Sequence, residues 1–214
     1  MLDGMENAPG ALLERFLPEY DVSDTIALKV DADLVRTWEA LNAADLIEVG
    51  RRRPLVGLLG GIRALPEIAT HLVHGEKPPG VPERMTLRDT TSAEAGAGAW
   101  VLLGERPRRE LALGLIGKFW RPVIEYAKVD PSAFSDFADP GFAKTVYALA
   151  VTESAAGGTL LSGTMRTATT SEQARRWFNR YWTLGVGSGA HVLVRGLLEV
   201  IKESAEATEP PTRR

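Results

Sequence analysis

The chain has 214 residues, 44% of them apolar and 25% charged, which suits one generous globular domain with a sizeable core. Its 25 Lys and Arg against 28 Asp and Glu leave a net charge of −3, so no overall basic field favours nucleic acid or an anionic membrane. The absence of cysteine excludes disulfides, thiol catalysis and Cys-ligated zinc or iron–sulfur centres.

The opening stretch MLDGMENAPGALLERFLPEY is acidic and has no charged region followed by an apolar run, so it does not read as a secretory signal. No uninterrupted apolar run reaches the ~20 residues of a membrane span, and a cytoplasmic protein is the expectation. Gly10 to Leu17 carries Ala11, Leu12, Leu13, Phe16 and Leu17 at helical spacing and is closed by Pro18, which predicts a short peripheral helix. Asp21 to Val30 alternates, with Val22, Ile26, Leu28 and Val30 on one side and Ser23, Thr25 and Lys29 on the other: a half-buried strand. Asp31 or Asp33 then caps one helix through DADLVRTWEALNAADL, whose Leu34, Trp38, Leu41 and Leu46 are near helical spacing.

Arg51 to Arg53 form a basic run ended by Pro54. Leu55 to His74 reads as two short helices broken near Pro66, and the proline-rich GEKPPGVPE from Gly75 to Glu83 as a surface loop. From Arg84 the period changes to two. MTLRDTTS, Trp100 to Glu105, Glu110 to Gly117 and the less regular Trp120 to Val129 are predicted strands, with a turn at Arg106-Pro107-Arg108. Phe134 to Pro140 reads as loop. Phe142 to Glu153 and Thr159 to Thr169 flank Ala155-Ala156-Gly157-Gly158, a hairpin signal because glycine accepts the positive φ of a tight turn. Last comes Ser171 to Glu206, predicted as one long helix with Ser171 as N-cap. At 100° per residue Ala174, Phe178, Tyr181, Gly185, Ser188, Val192 and Gly196 share a stripe on it.

This order, a strand, two helices, a meander of five or six antiparallel strands and one long C-terminal helix, resembles the α+β helix-grip fold of the START-like superfamily. That superfamily is also called SRPBCC, or polyketide cyclase/dehydrase and lipid transport. The run VLLGERPRRELALGLIGKFWRP is similar to the central hairpin of a group of uncharacterised actinobacterial START-like proteins. The resemblance spans Tyr20 to Glu206, leaving residues 1–19 as an N-terminal extension and 207–214 as a disordered tail. It implies a curved sheet closed around the last helix over a cavity for an apolar ligand; members bind sterols, lipids, hormones or aromatic polyketides, and some are cyclases.

Strand parity then nominates the cavity wall. Lys144 marks the solvent face of its strand, placing Ala143, Thr145, Tyr147, Leu149 and Val151 inside; Arg166 does the same for Leu161, Gly163, Met165 and Thr167; and Leu111, Leu113 and Leu115 follow. With the helix stripe, the candidate ligand-binding set is Leu113, Tyr147, Leu149, Met165, Phe178, Tyr181, Gly185, Ser188 and Val192, mostly apolar with sparse polar tips. A filled core is the competing reading. The expected activity is binding of an apolar or amphipathic small molecule, lipid or aromatic, with no cofactor. An aromatase/cyclase-type enzyme is the alternative, and it requires an acid or base inside the cavity.

Other motifs carry less. Gly185 to Ala190 matches G-x-G-x-x-A, but a dinucleotide fingerprint must follow a strand, and the residues before it are helical in pattern. Glu67, His71 and His74 sit at i, i+4 and i+7, short of a metal set and better read as solvated. His191 and Arg195, one turn apart, could form a polar cap at one end of the pocket but read better as a solvated pair, and no Ser-His-Asp or two-carboxylate arrangement is recognisable. Glu110 and Arg166 fall on the outer parity.

Overall fold

The computed structural model describes residues 10–58, 80, 82–91 and 100–207. Helix α1 (Ala11–Phe16) leads into β1 (Val22–Val30), then α2 (Leu34–Ala43) and α3 (Leu46–Arg52). The strands β2 (Val101–Arg106), β3 (Glu110–Gly117), β4 (Ala143–Glu153) and β5 (Thr159–Thr169) follow. Two helices, α4 (Glu172–Tyr181) and α5 (Gly187–Ala207), come last among the described residues and are joined by a π-helical turn over Trp182–Val186. All five strands form one antiparallel sheet in the order β1-β5-β4-β3-β2.

The strand alternation of β1 is observed, and Asp33 caps α2 by accepting the Arg36 amide at 2.8 Å. The single helix expected through Leu46 divides at Asp45. The Asp45 carboxylate accepts the amides of Ile47 at 2.9 Å and Met85 at 3.1 Å, which starts α3 afresh and pins residue 85 beside it. Burial opposes the Asp45 charge, yet the amides of Met85, Ile47 and Glu48 outweigh it and hold the carboxyl below its ordinary range.

Two predicted strands do not form. Among the described residues of MTLRDTTS only Thr86 makes a bridge, to Asp45, because the Asp89 carboxylate takes both the Thr86 amide (2.7 Å) and hydroxyl (2.8 Å) and winds Asp89–Thr91 into a 3₁₀ turn. In Trp120 to Val129 a turn closed by the Arg121 amide on the Lys118 carbonyl precedes Pro122, which has no amide to give; one bridge, Gly117 to Tyr126, survives. The β4–β5 hairpin is as predicted, with Gly157 and Gly158 at φ 82° and 74°. The predicted segments within 59–79 and 92–99, including Glu67, His71 and His74 and most of the Gly75 to Glu83 loop, lie outside the described residues.

The central strands β3 and β4 are buried on both faces. Ile26, Val30, Leu111, Leu113, Leu149, Val151 and Leu161 meet Leu197, Leu198, Val200 and Ile201 of α5 and Trp38 and Leu41 of α2. On the other side Leu12, Leu13 and Phe16 of α1 and Phe134 cover Ala112, Ile116, Val146 and Ala148. The face expected from Lys144 to be solvated is therefore a second core, and Lys144 reaches across it to the Ser135 carbonyl at 2.8 Å.

The predicted C-terminal helix spans the expected residues but is not straight. Ser171 caps it by accepting the Ala174 amide at 3.2 Å, and Gly185 at φ 104° bends it. The bend resets the helical phase. Ala174 and Phe178 are buried before it; after it the buried positions are Gly196, Leu197, Leu198, Val200, Ile201 and Ala205, so Gly196 of the expected stripe stays covered while the buried face turns toward Leu197, Leu198 and Ile201. By length and composition Glu172–Ala207 matches a membrane span, with 28% of its most apolar window buried, and no other described helix does. Here α5 lies along the sheet, tied by Glu206 accepting the Asp31 amide at 2.8 Å and by Lys202 donating to the Lys29 carbonyl at 2.6 Å.

Candidate functional site

Cross-strand register places the helix-side face of the sheet in rows. One row runs Asp24, Met165, Tyr147, Leu113 and Leu102; its neighbour runs Val22, Thr167, Thr145 and Leu115. On either side lie two apolar clusters, the main core under α5 and a smaller one in which Phe178 stacks on Trp182, ring centroids 5.7 Å apart, above Phe119 and Ala143. Between them the sheet carries a polar belt. Thr145 and Thr167 share a hydrogen bond of 2.8 Å in complete burial, and Asp24 Oδ2 lies 2.8 Å from His191 Nδ1 of α5.

Tyr147 occupies the middle of this belt. Its side chain is buried, and its hydroxyl has no hydrogen-bond partner. Burial alone pushes the phenol well above its ordinary range, so it is a neutral donor. The hydroxyl lies over Gly163, where an added Cβ would sit 2.9 Å from it and 3.1 Å from Val194 of α5. Such a group forfeits about 1–3 kcal/mol of solvation, which a partner atom would restore.

The nine nominated residues divide accordingly. Leu113, Tyr147, Leu149 and Met165 come together in the main helix-side cluster, Met165 only half-buried although it sits on a strand flanked on both sides. Phe178 is 2% exposed and, with half-buried Tyr181, belongs to the smaller cluster. Val192 is half-buried, whereas Gly185 and Ser188 are exposed at the bend. His191 and Arg195 do not pair with each other: His191 takes Asp24, and Arg195 takes Glu199 at 3.0 Å. Asp24 was missed. Its signal was its parity, a carboxylate on the otherwise apolar side of β1.

The Arg51 to Arg53 run has a structural role in two of its members. Arg53 bridges Glu199 at 3.3 Å and Glu203, tying α3 to α5, and Arg52 pairs with Glu48 at 2.9 Å. The G-x-G-x-x-A match lies at the bend and start of α5, behind a helix rather than a strand. Among the described residues no cluster of His, Asp and Glu has the geometry of a metal site. A hollow of about 330 Å³ does open, but on the opposite face of the sheet, under α1.

The chain folds as a curved antiparallel sheet gripped by a C-terminal helix, with two short helices after the first strand. The architecture is helix-grip-like. No family model and no curated protein matches the chain. Two solved structures are similar in outline. One, a crystal structure of a Mesorhizobium loti protein, is 15% identical with a TM-score of 0.37, the match covering 88% of this chain and all of that one. The other, an uncharacterized protein from Rhizobium leguminosarum, is 10% identical with a TM-score of 0.32 over 85% of this chain and 95% of that one.

Proposed function

We propose that the protein binds an apolar or amphipathic small molecule, lipid or aromatic, between its sheet and C-terminal helix, as START-like proteins do. The observation that carries this reading is the Tyr147 hydroxyl, held without a partner on the helix side of the sheet beside half-buried Met165. A ligand carbonyl or hydroxyl would accept from Tyr147, while its apolar body lies along Met165, Leu113 and the aromatic pair Phe178 and Trp182. Apolar burial supplies affinity at about 25 cal/mol per Å². The bend at Gly185 leaves Tyr181 and Val192 half-buried, and this side gives the ligand its way in.

The cyclase-type alternative rests on Asp24 and His191. If the Asp24 carboxylate accepts from Nδ1–H, the imidazole Nε2 is left as the proton acceptor, which is how a carboxylate orients a general base. Under that reading His191→Gln abolishes turnover of a polyketide-like substrate and spares its binding.

The direct test is native mass spectrometry of freshly purified protein, followed by the Tyr147→Phe variant. We expect a co-purifying apolar molecule in the wild type. Tyr147→Phe should weaken its retention while stabilising the stripped protein by about 1 kcal/mol, because the unpaired hydroxyl is gone. An empty wild type that also ignores a broad lipid and aromatic panel refutes the proposal.

A further inference from the structure

The hollow under α1 is separate from the belt, on the other face of the sheet, and its lining is polar where the belt's surroundings are apolar. It holds about 330 Å³, at the small end of small-molecule sites. The small side chains of Ala148 and Ala150 floor it, α1 roofs it through Gly10, Leu13 and Glu14, and hydroxyls from β1 and β5 form one wall. Ser23, Thr25, Ser162 and Thr164 all turn to this side, since β1 and β5 alternate and Thr25 meets Thr164 at 3.1 Å.

Two of its charged lining groups are incompletely satisfied. Glu110 is 1% exposed; its Oε2 accepts from the Leu12 amide at 3.3 Å and Arg106 at 3.4 Å, while its Oε1 has no partner. Arg166 donates through its terminal nitrogens to Glu14 at 2.7 Å and the Leu17 carbonyl at 3.3 Å and lies over the Tyr20 ring at 4.5 Å, yet its buried Nε has no acceptor. Along the sheet Glu110 is level with Ser162, four residues from Arg166 and two strands across from it, so the two positions are offset by roughly 13 Å along the strands and roughly 10 Å across them. The site thus offers a free acceptor at one end, a free donor at the other and hydroxyls that do both between them.

Charge narrows the ligand. An anion would meet Glu14 and Glu110, and a cation would meet Arg166. A neutral molecule with several hydroxyls fits, because each hydroxyl donates to a carboxylate and accepts from a guanidinium with the same atom. We infer that the hollow bounded by Glu110, Arg166 and the hydroxyls of Ser23, Thr25, Ser162 and Thr164 is a second binding site, for a sugar or polyol. This site does not depend on the interior one.

The test is an amide-shift NMR titration with glucose, mannitol and myo-inositol at tens of millimolar. Saturable shifts confined to Ser23, Thr25, Ser162 and Thr164 and to α1 are expected. Ser162→Leu, which fills the hollow from a half-exposed strand position, should abolish them. Glu110→Gln should weaken binding about tenfold or more, and Tyr147→Phe should leave it unchanged. Absence of saturable shifts with all three probes overturns the inference, as does binding that survives Ser162→Leu in a folded variant.

Discussion

The bend at Gly185 can be tested through the sign of one substitution. Gly185 has φ 104° and ψ −5°, and a Cβ built on it meets nothing within 4 Å. An alanine there has room, so any penalty is one of backbone conformation alone. For an L-residue in the left-handed region that penalty is about 1–2 kcal/mol. Were the helix straight, the same substitution would instead stabilise it by up to about 1 kcal/mol, because glycine is a poor helix former. The two geometries therefore predict opposite signs. For a domain of this size 1 kcal/mol moves Tm by about 2–4 °C, so the bent helix predicts a fall of about 2–8 °C in Gly185→Ala. Gly141 supplies the control. It too has positive φ (88°) with nothing within 4 Å of its Cβ, but it lies in an ordinary turn, and Gly141→Ala should lose a similar amount. Paired thermal and urea melts measure both. A Gly185→Ala protein that melts higher than wild type refutes the bend, and with it the phase change that turns Gly185 and Ser188 outward.

Two further outcomes follow from buried or crowded positions. Burial raises the Glu110 carboxyl above its ordinary 4.5, with the Leu12 amide and Arg106 pulling the other way. The folded protein therefore holds that proton more tightly than the unfolded chain, and stability falls as pH climbs from the ordinary value through the folded one. Glu110→Gln should flatten that fall in urea midpoints taken from about pH 4 to pH 7; a profile parallel to wild type would count against it. At Gly158 an added Cβ would overlap the Val30 carbonyl oxygen, and φ is 74°, so backbone strain and collision add. Gly158→Ala should cost more stability than Gly141→Ala in the same melts, and an equal cost would show that β1 does not pack against the β4–β5 turn.

What was legible in the sequence was whatever a local period records. β1, β3, β4 and β5 announce themselves within their own residues, and Ser171 declares its cap three residues ahead. The two false strands failed where short-range polar chemistry competes with a ladder: Asp89 folds back on Thr86, and Pro122 cannot donate. The covered outer face is written in the chain. In Val146 to Val151 both parities are apolar, the mark of a strand buried on two sides, and Lys144 alone was too little to make one side solvent.

The candidate site was half legible for a different reason. Parity places Leu113, Tyr147, Leu149 and Met165 on one face because a strand has no freedom to do otherwise. A helix stripe is extrapolated over many turns, and one π turn with one left-handed glycine shifts the positions that follow, although Gly196 stays covered. That is why Phe178, before the bend, is buried as expected while Ser188, after it, is exposed. The same shift brings His191 against Asp24 instead of Arg195. Bend and belt are thus one structural fact: without the phase change, the imidazole that meets the only carboxylate on the inward parity of β1 would point elsewhere, and the belt would end at Tyr147.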